Sequence, residues 1–130
     1  MEIDRPDVLA EVQEAFAIYE KALISNDVDT LDALFKDDSR TIRYGGGENL
    51  YGYAAIKAFR AARSPAGLTR DLAETVITTY GKDFATASTL FYRSSSVGKV
   101  GRQMQTWVRF PEGWRVVAAH VSVIDRSAAT

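Results

Sequence analysis

The chain has 130 residues, 16 Lys+Arg against 17 Asp+Glu, 46% apolar residues and no cysteine. That length suits a single domain, 1–130, while the missing cysteines exclude a disulfide framework, a thiolate nucleophile and sulfur-bound zinc. One histidine excludes a multi-histidine metal site within a subunit, and a net charge of −1 gives no global field favouring nucleic acid or an anionic membrane.

From Asp4 to Ser25, apolar residues recur at Val8, Val12, Ala15, Tyr19 and Leu23, one stripe of an amphipathic helix. Asp4 with Pro6 just inside is its start signal. Ser25-Asn26-Asp27 breaks the helix, and Asp27 caps a short second one carrying Leu31, Leu34 and Phe35. A strand is expected at Thr41–Tyr44, ended by Gly45, Gly46 and Gly47. A third helix runs from Tyr53 to Arg63, with Tyr53, Ile56 and Phe59 inward and Pro65 marking its end.

After Gly67 the period changes to two. Strands are expected over 68–80, 84–93, 102–110 and 114–124, joined by short turn-rich connectors in an antiparallel meander. Helices followed by one long sheet make an α+β fold. Long strands twist and coil, so the expected architecture is a cone: a curved antiparallel sheet wrapped around three N-terminal helices, with a pocket at its mouth. No apolar run approaches the ~18 residues of a membrane span, and the acidic first residues do not resemble a secretory leader, so a soluble cytoplasmic domain is expected.

Four polar sets are candidates for that pocket. Tyr19 lies on the apolar stripe, either as a core tyrosine with its tip at the surface or as a phenol able to donate to a substrate. Arg43 shares a strand face with Thr41, opposite Ile42 and Tyr44. Periodicity favours Ile42 toward the core, but the following glycines and a curled sheet could turn Arg43 inward, where it would bind a carboxylate through two parallel hydrogen bonds. His120 shares a face with Trp114, Val116 and Ala118 and is a substrate-contact candidate, as are Tyr53 and Trp107. Gln103, Gln105, Trp107 and Arg109 share one face of the penultimate strand, either as a pocket wall or, preferably, as a dimer interface. Arg93 is read as solvated. There is no nucleophile elbow, phosphate loop or dinucleotide fingerprint.

Several blocks together resemble the AtzH-like family, within the SnoaL-like, nuclear-transport-factor-two-like (cystatin-like) superfamily. They are Thr-Ile-Arg-Tyr at 41–44, Glu-Asn-Leu-Tyr-Gly at 48–52, Ala-Phe-Arg-Ala-Ala-Arg-Ser-Pro at 58–65, Val-Ile-Thr-Thr-Tyr-Gly at 76–81 and Gly-Trp-Arg-Val-Val-Ala-Ala-His-Val-Ser at 113–122. The resemblance implies a decarboxylating amidohydrolase in cyanurate-type nitrogen catabolism. Its substrate would be 1,3-dicarboxyurea, its product allophanate, and it would need neither metal nor organic cofactor. The resemblance also implies that the two residues needed for activity are Tyr19 and Arg43.

Two other functions compete. One is a non-catalytic module that binds small carboxylates or assists a partner amidase. The other is isomerase or dehydratase work on a hydrophobic ring, for which His120 is the one plausibly placed acid–base group. The expected partners are a small carboxylated urea or amide, a second copy in a homodimer, and a pathway amidase.

Overall fold

The structure, a computed structural model, describes residues 1–129. Pro6 opens the first helix, α1 (Pro6–Ile24), where a missing N–H costs nothing, and the stripe Val8, Val12, Phe16, Tyr19 and Leu23 is buried. Asp4 does not cap this helix. It adopts φ 57°, donates its backbone N–H to the Thr79 carbonyl (3.0 Å) and accepts the Thr79 N–H on Oδ1 (2.9 Å). The N-terminal segment is thereby tied to the sheet. Asp27 caps α2 (Val28–Leu34), its carboxylate accepting the Thr30 N–H at 3.2 Å.

The short strands β1 (Ile42–Tyr44) and β2 (Asn49–Tyr51) precede α3 (Tyr53–Ala62). Four long strands follow: β3 (Asp71–Tyr80), β4 (Phe84–Tyr92), β5 (Lys99–Phe110) and β6 (Gly113–Asp125). These four form the expected antiparallel meander within a sheet of order β2-β1-β6-β5-β4-β3. Two features extend the sequence reading. β2 closes a hairpin with β1, and β1 lies parallel to β6, pairing Ile42 with Ala118 and Tyr44 with His120. The sheet is therefore six-stranded and mixed. A three-residue strand is too short to display a period, which hid β2.

Bulges shape the sheet. β3 shifts register between Ala73 and Val76, with Glu74 at φ 50°. In β6, Thr106 of β5 opposes Ala118 while Trp107 opposes Val116, leaving Val117 without a partner. One inserted residue exchanges the two faces of a strand. Trp114 and Val116 are buried before the bulge and Ala119 after it. The expectation that His120 shares the Trp114 face is thus overturned: His120 is exposed on the outer face. Among the described residues no helix is long and apolar enough to cross a membrane.

A buried ion pair links α2 to α3. Arg60 Nη1 lies 2.5 Å from Asp32 Oδ1, and the guanidinium sits over the Phe35 ring, 4.7 Å from its centroid. Removing one partner strands a charge away from water. Asp32→Ala is therefore expected to lower unfolding free energy by about 3–5 kcal/mol in urea denaturation. A loss below about 1 kcal/mol, the range of exposed pairs, would show that the pair does not behave as a buried one.

Candidate active site

A cavity of about 350 Å³ opens at the mouth of the curved sheet, lined by Tyr19 and Leu23 of α1, Arg43 of β1, Phe59 of α3, Gln103 of β5 and Val121 of β6. Tyr19 enters it from the helical stripe. The residue is 5% exposed, its ring edge-on to Trp107 (centroids 6.5 Å apart, interplanar 88°) and tilted against Phe35 (6.3 Å, 44°). Its hydroxyl has no hydrogen-bond partner among the described residues. The ring is fixed by packing, and the phenol is left to the cavity.

Arg43 reaches the same cavity from the opposite wall. β1 pairs with β6 beyond the Val117 bulge, which sets Arg43 beside the buried Ala119 and turns Ile42 and Tyr44 outward. The periodicity preference for Ile42 toward the core is corrected by this register. Arg43 Nη1 donates to Glu48 Oε1 at 2.8 Å, and its guanidinium lies 5.6 Å from the Phe59 ring centroid. A Cβ on Gly45 would fall 1.8 Å from Glu48 Oε1, so the bare glycine leaves room for Glu48 to fold back onto Arg43.

Three more arginines, Arg63, Arg70 and Arg93, line the cavity. Arg70 is fully engaged. Its Nε and Nη2 donate to the two Glu20 carboxylate oxygens at 2.8 and 2.5 Å, and Nη2 also donates to Gln103 Oε1 at 3.0 Å. Arg70 and Arg93 both stack on the Phe91 ring, 4.5 and 4.7 Å from its centroid. The tip of that ring occupies the space over Gly101, where a Cβ would meet it at 2.0 Å.

Arg63 and Arg93 are less satisfied. Arg63 Nε and Nη2, Arg93 Nε and Gln103 Nε2 are buried without a hydrogen-bond partner. Burial, then the nearby cations Arg60 and Arg43, lowers the pKa of Arg63; burial, then Arg70, lowers that of Arg93. Arginine nevertheless stays cationic at neutral pH. The cavity thus holds four guanidinium groups, of which Glu48 and Glu20 answer Arg43 and Arg70 only. Its chemistry is that of an anion site with a phenol in its wall.

The other sequence candidates are not brought to this cavity. Trp107 is fully buried and donates its indole N–H to Gln105 Oε1 at 3.0 Å, so it backs the Tyr19 ring. Tyr53 donates its hydroxyl to the Asp32 backbone carbonyl at 3.0 Å; burial, then the charges of Asp32 and Asp37, raises its phenol pKa. His120 borders a separate shallow groove on the outer face, edge-on to Tyr44 with centroids 6.2 Å apart. The row Gln103, Gln105 and Trp107 is an inner wall, corrected from the expected dimer interface. Arg93, read as solvated, is half-buried over Phe91. Continuing the buried row Ala85, Ala87, Thr89, Phe91 by two residues reaches Arg93, a signal available in the sequence. Glu48, Arg63 and Arg70 lie outside long regular elements, where periodicity is silent.

A family model described as AtzH-like matches residues 1–127. A solved structure of a protein of unknown function from Pectobacterium atrosepticum is 62% identical, covers 95% of both chains and has a TM-score of 0.92. A cystatin-like fold protein from Burkholderia xenovorans is 48% identical, covers 96% of this chain and 98% of its own, and also has a TM-score of 0.92. An NTF2-like protein from Pseudomonas putida, 17% identical with a TM-score of 0.73 over 89% of this chain and 86% of its own, shares the fold alone. No curated protein matches the chain.

The Gly45 contact is directly testable. An added Cβ would meet the Glu48 carboxylate and Arg43 Nη1, so Gly45→Ala should cost about 1–3 kcal/mol, the range for leaving a part-buried donor without its partner. A crystal structure of the variant should show the Glu48 carboxylate displaced from Arg43. Glu48 still bonded to Arg43 Nη1 would contradict this role for the glycine.

Proposed function

The chain belongs to the AtzH-like family, and from that premise we propose that it is a cofactor-independent amidohydrolase that decarboxylates a small N-carboxylated urea such as 1,3-dicarboxyurea. The observation that carries the reading is a phenol without a protein hydrogen bond sharing one cavity with a cavity-facing guanidinium. In this reading Tyr19 and Arg43 are the catalytic residues.

Arg43 commits one donor to Glu48, and the rest of its planar fork is open to a substrate carboxylate. Held there, the carboxylate presents its attached nitrogen to the Tyr19 hydroxyl. The carbon–nitrogen bond breaks, its electron pair stays on nitrogen, and nitrogen takes the phenolic proton. The carboxylate carbon departs as carbon dioxide, and solvent returns a proton to the phenolate. Hydration of the released carbon dioxide makes the sum a hydrolysis, which joins the two activity names. A positioned acid contributes roughly 10²–10⁴-fold, and the Trp107–Phe35 packing keeps the phenol from swinging away.

The second reading, a binding module for small carboxylates, is favoured by the arginine cluster, which would bind an anion without help from Tyr19. The hydroxyl separates the two. Carbon dioxide released from 1,3-dicarboxyurea should fall at least about 10²-fold in Tyr19→Phe and in Arg43→Ala, with thermal midpoints held near wild type. A binding module would instead show no turnover and lose at most about 1 kcal/mol of affinity in Tyr19→Phe. An active wild type with an unchanged Tyr19→Phe rate would remove the phenol from the mechanism.

A further inference from the structure

We infer that the cavity is a two-ended anion site, in which Arg63, Arg93 and the free amide edge of Gln103 hold a second carboxylate, the one a doubly charged substrate retains. This deepens, and rests on, the reading of Tyr19 and Arg43 given above. Four buried donor atoms on these three side chains have no partner among the described residues: Arg63 Nε and Nη2, Arg93 Nε and Gln103 Nε2. Gln103 is only 2% exposed, and its Oε1 is pinned by Arg70, which leaves its amide nitrogen as the end not yet bonded. Buried donors are ordinarily paired, and cations more strictly than neutral groups. Three such side chains lining one cavity therefore point to an anionic ligand rather than to tolerated defects.

The guanidinium groups of the cavity differ in how far they are neutralised. Arg43 is partly neutralised by Glu48, and Arg70 is fully engaged by Glu20. Among the described residues neither Arg63 nor Arg93 has a carboxylate within salt-bridge distance; Arg63 feels Arg60 and Arg43 with Glu48 opposing them, and Arg93 feels Arg70 and Arg63 with Glu20 opposing them. This asymmetry matches what decarboxylation asks of each end. A full positive charge beside the departing carboxylate would favour the anion over neutral carbon dioxide, so a tempered cation suits it. The retained carboxylate keeps its charge throughout, and cations without a salt-bridge partner of their own bind it equally in ground and transition states. Binding energy gathered there positions the reacting nitrogen against Tyr19 without adding to the barrier. Arg63 and Arg93 thus set specificity for a dianion over a monoanion, while the singly charged product is held less well.

Glutarate and butyrate test this without turnover. Glutarate separates its carboxylates by three atoms, as dicarboxyurea does, and butyrate is the analogue that lacks the far carboxylate. By titration calorimetry at low salt, the wild-type protein should bind glutarate at least about tenfold more tightly than butyrate. Arg63→Gln and Arg93→Gln should each close most of that gap, with thermal midpoints near wild type showing that the variants are folded. Arg63→Lys, which keeps the charge, should retain part of the preference. Equal binding of the two ligands by the wild type would overturn the inference, as would a gap that persists in both glutamine variants. A normal glutarate preference beside an active Tyr19→Phe would contradict the catalytic role of Tyr19 alone.

Discussion

The parallel pairing of β1 with β6, taken up beyond an unpaired Val117, decides what the cavity contains. Because a strand's faces alternate with every residue, this one insertion turns Ala119 inward and His120 outward. β1 inherits the same alternation, so Arg43 enters the hollow and Ile42 and Tyr44 leave it. Without the bulge, an in-register β6 would present the imidazole to Tyr19 and send the guanidinium to the outer surface. A site suited to anions would become one suited to acid–base chemistry on an uncharged ring.

Once Arg43 is inside, electrostatics governs the rest. A guanidinium removed from water needs an opposing charge or a set of acceptors, and Glu48 supplies one at 2.8 Å. Glu20 does the same for Arg70, and the Phe91 face receives the flat sides of Arg70 and Arg93. These partners hold the guanidinium groups in place but do not cancel the total charge. The surplus falls on Arg63 and Arg93, in the cavity of the Tyr19 phenol, whose hydroxyl has no hydrogen-bond partner among the described residues. A stiff aromatic wall beneath Tyr19 and a charged rim around it divide the work between positioning and attraction.

Most of the architecture was legible in the chain. The α1 stripe, the Asp27 cap and the long strands each carry a pattern repeated over several turns or pleats, and such repetition is what makes a period readable. Membership of Tyr19 on the buried stripe came from that source. Arg43 was placed by its resemblance to a family motif, and periodicity alone pointed the other way. The reason is physical: the face of a three-residue strand is set by its partner, and the partner's face here depends on a bulge that leaves no mark in residue type. Glu48, Arg63 and Arg70 were missed because they sit in a turn or beside element ends. Arg93 extends a buried row and was readable, but an arginine at the end of a strand and before three serines looks solvated. Trp107, expected as a substrate contact, instead spends its indole N–H on Gln105 behind the Tyr19 ring.

The position of a bound dicarboxylate tests most directly whether Tyr19 and Arg43 act on one molecule. A crystal structure of the glutarate complex should show one carboxylate on Arg43, with the ligand backbone within about 3.5 Å of the Tyr19 hydroxyl. The far carboxylate should reach Arg63 or Arg93. Glutarate seated in the outer groove beside His120, or held in the cavity with the phenol out of reach of the ligand, would contradict the claim that Tyr19 and Arg43 act on one molecule.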